Sequence, residues 1–278
     1  MLDCIFDALL DTIKLFPYLL GTFILLELLE HKLDKKNEKL LRKNNKLGPL
    51  VGSILGALPQ CGFSAMAANL FSSRVITMGT LIAVFLSTSD EMLPIMIGEK
   101  IALLEVLKII GFKVIIGILI GFIVDIFYKP KKEKNTIHDL CEEDHCECEE
   151  DGILLSALKH ALKISIFILL ANALLNGIIY IIGEDTLKEL LLKKNIIHYF
   201  LAGLVGLIPN CASSVIMTEL YISNLISIGT LLSGLLTGSG IGILLLFRTN
   251  KNLKENLSIL SIIYIVGIII GILVDILI

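Results

Sequence analysis

Charge is scarce in this sequence, and tryptophan is absent altogether. Of its 278 residues, 18% are charged and 6% aromatic, against about 25% charged in an ordinary soluble domain. Acids exceed bases by only three, so no basic footprint for nucleic acid is expected. No Gly-x-x-x-x-Gly-Lys-Ser/Thr loop occurs, which removes the phosphate cradle of a nucleotide-driven engine or ATPase in this chain. The apolar stretches contain no Cys-x-x-Cys and no second Asp at a comparable site. A membrane thiol oxidoreductase or an intramembrane protease is therefore not expected, and the chain is read as not an enzyme. The six cysteines do not read as a secreted disulfide framework: Cys61 and Cys211 lie within apolar stretches and Cys141, Cys146 and Cys148 crowd one polar segment, so free thiols or metal ligands fit better than bridges.

Apolar residues are abundant instead, at 55% of the chain with a mean hydropathy of +0.85. Runs at 13–29, 109–127, 164–182 and 257–278 are mostly uncharged and each offers about 20 residues, enough to cross a hydrocarbon core of ~30 Å. The first run is preceded by Asp3, Asp7 and Asp11 and by no basic segment, so it is expected to stay as a helix and not to be cleaved as a signal. These runs predict an all-α, polytopic integral membrane protein of the cytoplasmic membrane, with the lipid bilayer as its principal partner and homo-oligomerisation left open.

The chain repeats itself. Gly56-Ala57-Leu58-Pro59-Gln60-Cys61 returns 150 positions later as Gly206-Leu207-Ile208-Pro209-Asn210-Cys211. Gly79-Thr80-Leu81 returns at the same offset as Gly229-Thr230-Leu231, and Gly117, Gly121, Val124 and Asp125 map onto Gly267, Gly271, Val274 and Asp275. Shared landmarks in one register mark a duplication. The expected organisation is a first transmembrane repeat at 1–128, a cytoplasmic linker at 129–153 and a second repeat at 154–278.

Lysine and arginine set the orientation. The segments 32–46, 129–134 and 248–254 are basic and belong on the cytoplasmic side. If 50–71 crossed the bilayer fully, 129–134 would fall outside; if it enters and returns as a Pro-broken re-entrant hairpin, all three basic segments lie inside. The second hairpin, at 201–220, then enters from the opposite face. Two inverted-topology repeats follow, with about ten helical segments counting half-helices and both termini outside. Paired broken helices in such repeats are a recurrent secondary-transporter design.

Pro59 and Pro209 lack an N–H and are expected to break their helices, freeing the carbonyls of Leu55 and Val205. Gln60 and Asn210 bring amide oxygens to the breaks, Cys61 and Cys211 bring sulfurs, and Gly62 allows close approach. A thiol opening a helix has its thiolate favoured by the positive end of the dipole, although a buried cysteine is commonly a small inert filler. In the next apolar segment, Ser87, Asp90 and Glu91 are spaced to share one face of a continuous helix. Acids inside a span mark ion paths or proton relays; at a helix end they would simply be solvated. The matching residues Thr237, Gly238, Ser239 and Gly240 keep hydroxyls but carry no acid. Glu219, with Asn69 as its mate, is a further candidate acid. Lys113 is a lone base expected to snorkel, with a counter-ion role as the alternative.

Thus Gln60, Cys61, Ser87, Ser89, Asp90, Glu91, Asn210, Cys211, Thr237 and Ser239 form the expected substrate-binding set. Asp90, Glu91, Cys61 and Cys211 are its metal ligands. The linker holds His138, Cys141, His145, Cys146 and Cys148 among acids, ligand types that suit borderline-soft divalent metals in spacings that match no closed zinc site. A solvated acidic tract is its bland alternative.

Leu58-Pro59-Gln60-Cys61-Gly62-Phe63-Ser64, Gly79-Thr80-Leu81, Ser87-Thr88-Ser89-Asp90-Glu91 and Ile208-Pro209-Asn210-Cys211 together give the chain a resemblance to the ten-helix heavy-metal exporters, a family whose members carry descriptions such as arsenic efflux protein or manganese transporter. The resemblance spans nearly the whole chain. It departs in the second half, where some relatives carry acids and this chain has Gly238-Ser239-Gly240. Oxygen ligands favour export of a divalent transition metal, manganese above all, coupled to an ion gradient. The alternative is efflux of a trivalent arsenical held by Cys61 and Cys211, and further from the pattern lies a metal-responsive membrane sensor. The metal is cargo, and no resident cofactor is expected.

Overall fold

The computed structural model describes residues 47–58, 61–89, 92–128 and 196–277, with scattered helical positions between 9 and 24 and between 158 and 170. Ten helices have defined bounds among these residues. They are α1 (Gly48–Gly56), α2 (Cys61–Ser72), α3 (Met78–Ser87), α4 (Met92–Gly98), α5 (Leu103–Phe127), α6 (Ile197–Gly206), α7 (Cys211–Ile222), α8 (Ile228–Thr237), α9 (Ile241–Thr249) and α10 (Leu253–Leu277). Each of α6 to α10 falls at or within a residue or two of the position 150 residues beyond its counterpart in α1 to α5. No strand occurs among the described residues.

Length and composition make four stretches able to cross a membrane: Met78–Gly98, Leu103–Phe127, Ile228–Thr249 and Leu253–Leu277. The first and third are broken helices, α3 with α4 and α8 with α9; the second and fourth are the continuous α5 and α10. Burial separates the two kinds. Every residue of α3 is buried, as is α8 from Gly229 to Thr237, whereas Leu104, Leu107, Ile115, Leu119 and Ile126 of α5 and Leu257, Ile265 and Ile269 of α10 are exposed. Exposed leucine and isoleucine at helical spacing are what a lipid-facing surface requires. The broken helices are the interior and the continuous ones the shell.

The starts of α3 and α8 are built alike. Thr77 caps α3 by accepting from the Thr80 amide at 3.1 Å, and Ser227 caps α8 by accepting from the Thr230 amide at 3.2 Å. A carboxylate from the neighbouring long helix completes each cap. Asp125 of α5 accepts from Thr77 Oγ1 at 2.7 Å and from the Gly79 amide at 2.8 Å. Asp275 of α10 accepts from Ser227 Oγ, from the Gly229 amide at 2.8 Å and from Tyr199 Oη at 2.7 Å. The repeated Gly and Asp landmarks are thus two ends of one contact. Glycine is required there because a Cβ on Gly79 would collide with the Gly121 carbonyl and the Asp125 carboxylate, and one on Gly229 with Gly271 and Asp275.

Within each half, α3 packs on α1 and α5, and α8 on α6 and α10. Between halves the packing is exchanged, with α2 on α9 and α7 on α4, and α3 touches α8. At one end of the molecule this exchange is sealed by polar contacts. Glu255 at the start of α10 accepts from Arg74 at 2.8 Å, from Tyr128 Oη at 2.9 Å and from Asn250 Nδ2 at 3.2 Å. Beside them Ser72 and Thr249 share a hydroxyl hydrogen bond of 2.7 Å.

The close helix crossing yields a test. Alanine at Gly79 is expected to destabilise the detergent-purified protein by about 1–3 kcal/mol in thermal unfolding, the usual cost of forcing volume into a packed contact. Alanine at Gly111, where nothing lies within 4 Å, is expected to change stability by less than about 0.5 kcal/mol or to raise it slightly.

Candidate functional site

The interior helices are interrupted at Thr88 and Gly238, and the candidate site lies at their broken ends. Helix α3 ends at Ser87 because Thr88 turns out of helical geometry, to ψ 127°. Helix α8 ends at Thr237, and Gly238 at ψ 103° and Gly240 at φ 53° carry the chain into α9. The latter conformation is open in practice only to glycine. This corrects the sequence expectation that Ser87 shares the face of a continuous helix with the residues after it. The polar run interrupts the helix, as Ser and Thr do when their side chains compete for backbone partners.

The hydroxyls at the breaks are engaged with their own backbone. Ser87 Oγ donates to Ala83 O at 2.8 Å and Val84 O at 3.0 Å, and Thr88 Oγ1 donates to Val84 O at 2.7 Å. Thr237 Oγ1 donates to Ser233 O at 3.0 Å and Gly234 O at 2.9 Å, and Ser89 Oγ to Ser87 O at 3.1 Å. Ser239 differs: its hydroxyl is fully buried and bonds to no described residue.

Lys113 is the group that sequence reasoning misplaced. It does not snorkel. Its side chain is 0% exposed, and its ammonium donates to Thr88 O at the end of α3 and to Leu235 O of α8 at 3.0 Å. One side chain from the first half thus holds the broken ends of both halves. The intramembrane acid expectation also shifts, since Glu219 is exposed whereas Asn69 is buried, its Nδ2 unmatched by any described residue.

The proline breaks are tighter than proline chemistry alone implies. The freed carbonyls are not bare: Leu55 O accepts from the Leu58 amide at 3.2 Å and Val205 O from the Ile208 amide at 3.1 Å. Each chain closes with a 3₁₀-type bond before turning. After Pro209, Asn210 adopts extended geometry (φ −146°, ψ 149°) and caps α7, its Oδ1 accepting from the Ala212 amide at 3.4 Å while Ser213 Oγ donates to its carbonyl at 2.9 Å. The cysteines open the second half-helices, with α2 beginning at Cys61 and α7 at Cys211. Gly62 is buried in the first turn of α2.

The second proline break meets the ends of α3 and α8 in a small cleft. Thr88 of the first half, Asn210, Ser213 and Ser214 at the second proline break, and Gly234, Leu235, Gly238 and Gly240 at the end of α8 line it together. Ser213, Ser214 and Thr88 are lining residues that the sequence reading did not single out. The internal match of Ser64 with Ser214 was the available signal. Of the expected set, Pro59, Gln60, Asp90, Glu91, the side chains of Cys61 and Cys211, and linker residues His138, Cys141, His145, Cys146 and Cys148 lie outside the described residues. Among the described residues no three His, Cys, Asp or Glu side chains converge. Oxygen donors dominate what is described.

The profile of the family described as "Putative, 10TM heavy-metal exporter" matches residues 2–200 and 153–278, which together run from residue 2 to the end. The chain belongs to that family. It is accordingly a multi-pass membrane protein of a family described as heavy-metal exporters. No curated protein and no solved structure matches it.

Asn210 separates architecture from binding. Asn210→Ala removes a cap and is expected to cost about 1 kcal/mol of stability. Asn210→Ser keeps a capping oxygen and should stay within about 0.5 kcal/mol of the native protein in thermal unfolding.

Proposed function

We propose that this exporter-family protein moves a divalent transition metal, manganese in the first place, out of the cell by secondary active transport. The observation that carries the reading is the cleft where the second proline break and the ends of α3 and α8 meet, whose lining includes the amide- and hydroxyl-bearing residues Thr88, Asn210, Ser213 and Ser214. Hard oxygen ligands suit manganese, and Asp90 and Glu91, which follow Thr88 and Ser89 in sequence, are proposed to supply the negative charge that a dication requires. Protons passing through the same acids are the proposed coupling ion. The linker's His138, Cys141, His145, Cys146 and Cys148 are proposed to capture metal on the cytoplasmic side and pass it on. No resident cofactor is needed.

Inverted repeats with re-entrant hairpins are part of this proposal, and the Glu255 cluster supports them. If the α6–α7 segment, which lies between Tyr128 and Glu255 in the chain, crossed the bilayer fully after a single pass of the segment before it, Arg74 and Tyr128 would lie on the face opposite Glu255. Their bonds to its carboxylate, at 2.8 and 2.9 Å, fit a segment that returns to the face it entered. All three then sit on the cytoplasmic side with the basic segments, in the cytoplasmic membrane, and the termini lie outside.

A second reading has its own observation. Cys61 and Cys211 each open a half-helix, the position at which a thiolate is favoured, and a thiolate pair is the natural ligand of a trivalent arsenical. Alanine at both positions is expected to abolish arsenical resistance under that reading and to reduce metal export only in part under the first.

Two measurements test the proposal. Purified protein in liposomes with an enclosed metal-sensitive dye should pass manganese under a pH gradient, and an absence of flux for every divalent ion, with or without the gradient, would end it. Single cysteines placed at Val75, Lys129 and Lys251 should label from the cytoplasmic side and those at Lys100 and Asn224 from the other; labelling of the first three from different sides would sink the re-entrant topology.

A further inference from the structure

A fully buried lysine whose ammonium sits against backbone carbonyls needs an explanation beyond packing. Lys113 lies near the middle of α5, a helix of 25 residues, with no exposure at all. Of its acceptors, Thr88 O follows the last residue of α3 and Leu235 O belongs to the last turn of α8. Carbonyls of a last helical turn have no amide ahead of them to accept from, and they carry the negative end of the helix dipole. The residue that would have donated to Leu235 O in a continued helix is Ser239, which lies outside α8. A carbonyl of the last turn of α8 and the carbonyl just past the end of α3, one from each half, therefore meet at one point.

That arrangement is a cation site. Converging carbonyls at membrane depth are the chemistry that replaces the water around a small monovalent cation. The matching position on α10 is Ile263, equally buried, so the duplication carries one such charge and not two. Both acceptor residues, Thr88 and Leu235, also line the polar cleft.

We propose that Lys113 is a tethered cation: its ammonium permanently occupies a monovalent-cation site formed by the converging ends of α3 and α8, joins the two halves there, and sets the charge of the adjacent cleft. Vacated by truncation, the site takes a small primary alkylammonium. The transport consequence rests on the export reading above; the site itself does not. With the carbonyl ends already neutralised by the lysine, attraction for a dication falls to the acids of the chain and not to the backbone, which keeps binding weak enough for release.

Thermal unfolding of the detergent-purified full chain, with ethylammonium or tetramethylammonium chloride at equal ionic strength, tests the site. Lys113→Ala should melt below the native protein and regain stability with ethylammonium, but not with the bulkier tetramethylammonium. Lys113→Met, which fills the space without charge, should melt lower and regain nothing, and Lys113→Arg should stay closer to the native value. A Met variant as stable as the native protein, or an Ala variant helped equally by both ions, overturns the tether. Should the Ala variant not survive extraction, the Met and Arg variants decide by the same criterion. In liposomes Lys113→Met should carry metal about tenfold more slowly, the scale set by losing hydrogen bonds from a charged donor. A native protein that carries no metal would refute export while the melting comparison still judged the site.

Discussion

A helix that stops inside a membrane protein leaves carbonyls that lipid cannot satisfy, and this constraint governs the rest of the structure. The protein breaks both interior helices, at Thr88 and at Gly238, and each break must be answered locally. Hydroxyls answer part of it by folding back on the preceding turn, as Ser87, Thr88 and Thr237 do. The Lys113 ammonium answers another part, bonding to one carbonyl from each break. The long helices α5 and α10 therefore do more than face lipid. They reach inward with Asp125 and Asp275 at the starts of the broken helices, and α5 reaches in with Lys113 at their ends. The charges match the dipole at each place, acid at the N-terminus and base at the C-terminus.

The exchanged packing of α2 on α9 and α7 on α4 makes the halves interdependent, and the exchange is unequal. One end is sealed by Arg74, Tyr128 and Asn250 around Glu255, which is only 8% exposed. The residues in the same register at the other end are Asn224 for Arg74, Glu105 for Glu255 and Lys100 for Asn250. Asn224 cannot form the ion pair that Arg74 forms, because it has no charge to contribute. An ion pair this sheltered is costly to break when one partner leaves. The end that carries it is accordingly the better fastened of the two in the conformation described.

Some of this was legible in the residues and some was not, for physical reasons. The matched helix caps were legible because Gly and Asp serve backbone roles that few other residues fill: Gly79 and Asp125 are two ends of one cap, and Gly229 and Asp275 are two ends of another. The proline breaks were legible from the missing N–H, but not the bonds from Leu58 and Ile208 that cover the freed carbonyls. The second pair of breaks was hidden. A polar run on an apolar segment has the periodicity of a helix face, and only the backbone angles at Thr88 reveal that the helix has ended. Lys113 was hidden more deeply, since it bonds to carbonyls 25 and 122 residues away, and carbonyls have no signature in a sequence.

Charge is distributed unequally between the two similar halves. Position 113 holds lysine where position 263 holds isoleucine, and positions 90 and 91 hold acids where 240 and 241 hold glycine and isoleucine. Both departures fall on the first half, and they are opposite in sign. The second half, freed from carrying charge, supplies shape: Gly240 in a conformation that only glycine adopts with ease, and Asn210, Ser213 and Ser214 as neutral oxygens. Division of labour between charge and shape follows from the same constraint that broke the helices, because each buried charge must be balanced nearby whereas a buried carbonyl needs only a donor.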